Sequence, residues 1–276
     1  MGKRIFSTIL LWAIVGSAAW FGRTNGALLL IATISVMTLG EFYRIMRASG
    51  YAPFHKLGLC FGGIITMAPW LEAQLQVPTH LLLPLGTVLF AVRLLGERTP
   101  ENRVESLAAT LFGLVYVSLM LQYLVRIVTP LPGDGLSSGT RLLLCLWIVA
   151  VAKFCDVGAL LTGLAIGRHK MSPVISPKKT WEGAVGGVII SMGVAALIAW
   201  LARGKFPPHM TPLIAALMAI PVAVLGIVAD LVESVLKRRG NLKDSGSAIP
   251  GLGGFFDMSD SLILAAPMGY FLFRLP

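Results

Sequence analysis

Long apolar runs separated by short polar segments recur along the whole chain, and that alternation predicts a series of membrane-spanning helices. Nine spans fit the runs, near residues 5–21, 26–42, 57–71, 80–96, 106–128, 141–166, 183–202, 211–232 and 258–274. Every backbone amide in lipid needs an internal partner, and the runs lack the ten-residue alternating pattern of a membrane barrel. The expected fold class is therefore all-α, a polytopic membrane helix bundle forming one domain over residues 1–276. Residues 1–140 supply spans, and residues 141–276 carry most of the polar chemistry.

Composition agrees: 56% of the 276 residues are hydrophobic and only 13% are charged, with a mean hydropathy of +0.80. Those values lie far from soluble domains. Lys and Arg then set the orientation. With the N-terminus inside, 16 of the 23 basic residues fall on the cytoplasmic side, 6 on the other, and Lys153 within a span. A net charge of +10 on such a chain points to anionic lipid or anionic substrates rather than nucleic acid. Met1 to Ala19 has the basic start and small-residue triplet of a signal peptide, but the run is long enough to remain a span and the following chain is polytopic. Cys60, Cys145 and Cys155 show no metal-ligand spacing and read as small buried residues.

The chemistry gathers in three places. Lys153 and Asp156 are three residues apart in the sixth span, on one helical face, and predict a buried pair beside a polar cavity. The loop Ser172-Pro173-Val174-Ile175-Ser176-Pro177-Lys178-Lys179-Thr180-Trp181-Glu182-Gly183 reads as an extended turn into the next span. Thr180 is a candidate cap there and Glu182 falls in the first helical turn. Lys178 and Lys179 beside free helix-start amides make a phosphate cradle, or else an ordinary positive-inside anchor.

The third place is the densest: residues 230–260 hold five acids and four bases, DLVESVLKRRGNLKDSGSAIPGLGGFFDMSD. Asp230, Glu233, Ser234 and Lys237 follow i, i+3, i+4, i+7 spacing and so share a helical stripe. A loop over 241–256 follows, in which Gly251, Gly253 and Gly254 permit close backbone approach and Lys243-Asp244 add charge. Asp257 and Asp260 then open the last helix. Carboxylates entering from two helices suit Mg²⁺, a hard cation that takes oxygen ligands and keeps substrate phosphates in its shell. Helix caps and simple ion pairs explain each residue singly. A proton or cation transporter uses the same residue types, so composition and spacing leave the reaction undecided.

The run Ser234-x-x-Lys237-Arg238-x4-Lys243-Asp244-x-Gly246-x-x-Ile249-Pro250-x-x-Gly253-Gly254-x-x-Asp257-x-x-Asp260 resembles the signature of phosphatidate cytidylyltransferases, the CDP-diacylglycerol synthases. Upstream, Asp156, Gly167-Arg168-His169-Lys170 and Ser176-Pro177-Lys178-Lys179-Thr180-Trp181-Glu182-Gly183 resemble the same family's other block, in the same order and spacing. Residues 1–140 match only as generic spans. Two positions depart from the pattern: Leu252 stands where the family usually has His, and Met258 where it usually has Arg.

The resemblance implies transfer of CMP from CTP to phosphatidic acid, giving CDP-diacylglycerol and pyrophosphate at a cytoplasm-facing site of a bacterial inner membrane. It implies Mg²⁺ on Asp230, Asp257 and Asp260, with room for a second, monovalent cation. Lys243 and Asp244 join the catalytic set, with Glu233 and Asp244 supporting the metal ligands. Lys178, Lys179, Ser234, Lys237, Arg238, Gly253, Gly254 and Asp156 become substrate-binding candidates. Expected partners are CTP, phosphatidic acid and membrane lipids, without nucleic acid, and a homodimer is the candidate assembly. A CTP-dependent polyprenol kinase needs similar residues and remains the rival enzyme; it differs in releasing no pyrophosphate.

Overall fold

A computed structural model describes residues 16–17, 22–96, 103–130, 135–246 and 253–275. Most of the first expected span, and Leu252, lie outside the described residues. Eight helices stand where the other eight spans were expected: α1 (Arg23–Ala48), α2 (His55–Leu75), α3 (Leu82–Leu95), α4, α5 (Ser138–Ile166), α6 (Trp181–Leu201), α7 (Pro212–Arg239) and α8 (Phe255–Leu272). Helix α4 runs over Arg103–Gly113, through a π-helical turn at Leu114–Leu119, and on over Met120–Val128. Five of these, α1, α4, α5, α6 and α7, are long and apolar enough to cross a membrane.

One feature departs from an all-helical reading. Residues expected as an extended turn form an antiparallel hairpin of β1 (Lys170–Ser172) and β2 (Ser176–Thr180), with Lys170 opposite Thr180 and Ser172 opposite Ser176. Both strands are too short to show an alternating pattern. Trp181 N–H donates to the His169 carbonyl at 3.0 Å and closes the base of the hairpin.

The chain divides into two compact units, Met1–Asp134 with Leu236–Ser259, and Gly135–Val235 with Asp260–Pro276. In the first, α1 packs on α2 and α4 around Phe42 and Tyr43, both fully buried. Phe42 meets Phe112 and Phe256 edge-on at 5.6 and 6.1 Å. Tyr43 Oη donates to the Thr110 carbonyl at 3.0 Å, and the Ser35 and Thr66 hydroxyls pair at 2.7 Å across α1 and α2. Hydroxyl pairs of this kind tie helices where lipid offers no hydrophobic force between them.

In the second unit α5 and α6 flank the hairpin and press closely together. The buried stripe of α6 is Gly183, Gly187, Ser191, Ala195 and Ala199, one small residue every four. A Cβ on Gly187 would lie 2.7 Å from the Cys155 carbonyl, and one on Gly183 2.7 Å from the Ala159 carbonyl. Only glycine permits that approach. Further along, Ser191 Oγ donates to the Val151 carbonyl at 2.9 Å. Cys145 and Cys155 are buried as expected, whereas Cys60 is exposed, and all three are free thiols.

Candidate active site

The second unit brings three carboxylates together. One oxygen each from Asp230, Glu233 and Asp260 lies within 4.8 Å of the other two. Helical spacing explains two of them: Asp230 and Glu233 are i, i+3 neighbours on α7. Asp260 comes from the second turn of α8, where its Oδ1 accepts the Ser261 N–H at 2.6 Å. Glu233 is 2% exposed and Asp260 6%, so these charges are largely withdrawn from solvent and need compensation. Oxygen donors of this type and number fit a hard divalent ion.

Two lysines supply part of that compensation. Lys179 Nζ, at the end of β2, lies 2.6 Å from Asp230 Oδ2. Lys153 Nζ lies 3.3 Å from Asp156 Oδ2 and 3.6 Å from Asp260 Oδ1, and donates to Ser261 Oγ at 2.7 Å. Ser261 passes its own hydroxyl hydrogen to Asp156 Oδ2 at 3.1 Å. The expected Lys153–Asp156 pair is present, and Asp260 joins it.

A cavity of about 210 Å³ opens beside these groups, lined by Asp156, Lys178, Lys179, Thr180, Gly183 and Asp230 among others. Thr180 caps α6, its Oγ1 accepting the Gly183 N–H at 3.1 Å. Glu182 lies in the first turn and folds back on the hairpin base. It accepts the Arg168 and His169 N–H groups, each at 3.2 Å, and contacts His169 Nδ1 at 2.5 Å. The Lys178-Lys179 strand is therefore anchored at the base of the hairpin, by a cap and by a carboxylate clamp.

The signature loop belongs to the first unit and is organised around Asp257. Lys237 Nζ lies 2.7 Å from Asp257 Oδ1, while Asp257 Oδ2 accepts the Ser245 N–H at 3.0 Å and the Gly254 N–H at 2.7 Å. Asp257 and Asp260 leave α8 one turn apart, yet they are taken up by different partners; Glu233 is the third member of the converging trio. Gly253 has φ +96°, a left-handed conformation that glycine adopts without strain. Ser234 and Lys237 are half-buried, Arg238, Lys243 and Asp244 are exposed, and Met258 is half-buried.

Glu41 was missed by sequence reasoning. It sits in α1, 5% exposed, and its Oε2 accepts the Ser245 hydroxyl at 2.7 Å and the Phe256 N–H at 2.9 Å. Ser245 Oγ is also 2.8 Å from Asp257 Oδ2, so its single hydrogen serves one carboxylate at a time. An acid inside an apolar run is itself a functional signal, and that signal was available in the sequence.

Buried carboxylates that converge with lysines facing them are a residue set suited to a hard cation and to phosphate oxygens. The model of the cytidylyltransferase family matches residues 2–275, and the chain belongs to that family. It is 31% identical over 276 residues to the phosphatidate cytidylyltransferase of Bacillus subtilis, covering 100% of this chain and 91% of that one. It is 30% identical over 260 residues to that of Synechocystis sp., covering 87% and 86%. It is also 33% identical over 198 residues to the Escherichia coli protein YnbB, itself uncharacterized, covering 70% and 63%.

Proposed function

We propose that this chain transfers the cytidylyl group of CTP to phosphatidic acid, giving CDP-diacylglycerol and pyrophosphate. A phosphate oxygen of the lipid attacks the α-phosphorus of CTP, the bond from that phosphorus to the bridging oxygen breaks, and pyrophosphate leaves. Such transfers require in-line positioning and neutralisation of negative charge more than covalent help from the protein. The observation that carries the reading is the convergence of Asp230, Glu233 and Asp260 within 4.8 Å in a chain that matches the family from residue 2 to 275.

Asp230, Glu233 and Asp260 would hold Mg²⁺, which when bound neutralises phosphate charge and polarises the reacting phosphorus. Asp257, an expected ligand, keeps that role as a candidate, with Lys237 beside it. Lys178 is exposed at the cavity lined by Asp156 and Asp230, a suitable place for a triphosphate. Lys179 holds Asp230 in position. Lys243 and Arg238 lie exposed on the loop side, where they can meet nucleotide or lipid phosphates, and Asp244, exposed beside Lys243, keeps its place as a candidate support of the metal ligands.

The apolar runs support nine spans, and the charge asymmetry supports an N-terminus in the cytoplasm and an active site facing it, where CTP is available. The membrane is then a bacterial inner membrane. Purified protein with phosphatidic acid, labelled CTP and Mg²⁺ should yield labelled CDP-lipid and pyrophosphate. A folded preparation that labels lipid without releasing pyrophosphate would replace this reading with a kinase. Cysteines introduced at Ser172 and Arg239 should be labelled from the same side of the membrane, and labelling from opposite sides would refute the orientation.

A further inference from the structure

The hairpin and the α5–α6 pair border a second hollow, a groove of about 950 Å³. It shares no lining residue with the cavity that holds Asp156 and Asp230. At about 100° per residue, Val185 in the groove stands about 160° round α6 from Gly183, which lines the cavity. The groove therefore opens on the other flank of the helix pair. Its floor is the contact of Gly186 with Thr162, where a Cβ on the glycine would strike the threonine side chain. Ile166, Trp181, Val185 and Ile189 line it and are each 58–61% exposed, so the described chain leaves it open.

This groove is apolar along its length and cationic at one end. From Trp181 to Ile189 α6 rises about 12 Å, close to the roughly 15 Å of hydrocarbon in one leaflet. The mouth, at the hairpin base, carries Arg168, His169 and Lys170. Glu182, the one acid among the lining residues, is taken up by the Arg168 and His169 N–H groups and the His169 ring. Neither the Arg168 guanidinium nor the Lys170 ammonium has a partner among the described residues. Trp181 stands beside them, an amphipathic ring of the kind that seats at a membrane surface. Two cations above an apolar strip nearly one leaflet deep complement a phosphate headgroup with an acyl chain below it. A soluble nucleotide would meet the same cations but only hydrocarbon beneath them.

We propose that this groove binds an anionic phospholipid of the surrounding membrane. Arg168 and Lys170 hold its phosphate, and an acyl chain lies along Ile166, Val185 and Ile189. This lipid is distinct from a reacting one, because it sits on the flank away from Asp230, and its binding does not depend on which reaction the chain performs. A phosphate seated there ties the hairpin base to the membrane surface, and with it the strand that carries Lys178 and Lys179.

Trp181 is a reporter inside the site. The full chain is reconstituted in phosphatidylcholine bilayers with phosphatidylglycerol as a minor component, and bromine atoms are placed on the acyl chains of one lipid or the other. Quenching of the Trp181 emission, taken as the difference from Trp181→Phe, reports which lipid lies against it. A preference of at least about ten-fold for phosphatidylglycerol is expected. Arg168→Gln and Lys170→Gln should each reduce it about five-fold, the equivalent of about 1 kcal/mol per cation at a membrane surface. Lys56→Gln, which removes a cation outside the groove, should leave it unchanged. Equal quenching by the two brominated lipids overturns the proposal, as does a preference that falls as far in Lys56→Gln, since that is the pull of a positive surface and not of a site. Inorganic phosphate should not abolish the preference; if it does, the cations bind phosphate alone and the lipid reading falls. All of these substitutions fall on exposed side chains, and the wild-type ratio decides by itself.

Discussion

Removing the Glu41 side chain tests how the signature loop is held. In Glu41→Ala the Phe256 N–H, which lies in the first turn of α8 and has no helical acceptor, loses its partner at 2.9 Å. Ser245 loses its 2.7 Å contact to Glu41 but keeps Asp257 at 2.8 Å. A hydrogen bond to a charged group contributes about 1.5–3 kcal/mol, so the Phe256 bond dominates and the variant should lose about 3 kcal/mol. Glu41→Gln, keeping a neutral acceptor, should lose about half of that. Gly246 sharpens the test, because a Cβ there would lie 2.5 Å from Glu41 Oε1. Gly246→Ala should cost about 1–3 kcal/mol by overpacking, and much of that cost should vanish in the double variant, where the carboxylate is gone. A coupling of about 1–2 kcal/mol is expected from a double-mutant cycle measured by unfolding in mixed micelles. Protease cleavage around residues 240–246 should quicken in Glu41→Ala. Additive single effects, or an unaltered stability for Glu41→Ala, would refute the clamp.

Asp230→Asn and Asp260→Asn should each lower turnover by about 100-fold or more and weaken Mn²⁺ binding while the protein stays folded; near-normal rates with an unchanged metal requirement would make these acids structural. Asp257→Asn should lower turnover as well, and comparing its Mn²⁺ affinity with that of Asp260→Asn tells a ligand from a loop anchor. Treatment with a chelator should abolish CDP-lipid formation and added Mg²⁺ should restore it. Lys56→Gln, at an exposed position, should leave the rate within about two-fold, since its simplest role is orienting the chain. Gly187→Val should prevent stable folding through the Cys155 carbonyl, whereas Gly193→Ala, with open space around the added methyl group, should be neutral in thermal stability.

Most of the helices were legible because apolar runs long enough to span a bilayer are hard to mistake. The Lys153–Asp156 pair was legible for a similar reason, since i, i+3 spacing places both on one face. What failed to show were contacts made at a distance in sequence. Asp260 meets Lys153 across more than a hundred residues, and Ser245 meets Glu41 across 204. No local period reports such a meeting. The hairpin at 170–180 was hidden because Pro173 and Pro177 flatten any strand signal and its closure depends on Glu182, in the next helix. Glu233 was assigned a supporting part because spacing gave its face but not its depth; burial to 2% puts it among the converging oxygens.

The order of small residues along α6 has a mechanical consequence. From Gly183 and Gly187 through Ser191 to Ala195 and Ala199, the inserted volume grows away from the hairpin, so α5 and α6 form a wedge with its narrow edge at the end bearing Lys178 and Lys179. There the Cys155 and Ala159 carbonyls lie so close to Gly187 and Gly183 that an added Cβ would meet each at 2.7 Å. The lysine that meets Asp230 is thus aimed by missing atoms several residues away. A methyl group gained at the narrow edge would press on those backbone carbonyls and swing the strand that carries Lys178 and Lys179 through a lever arm.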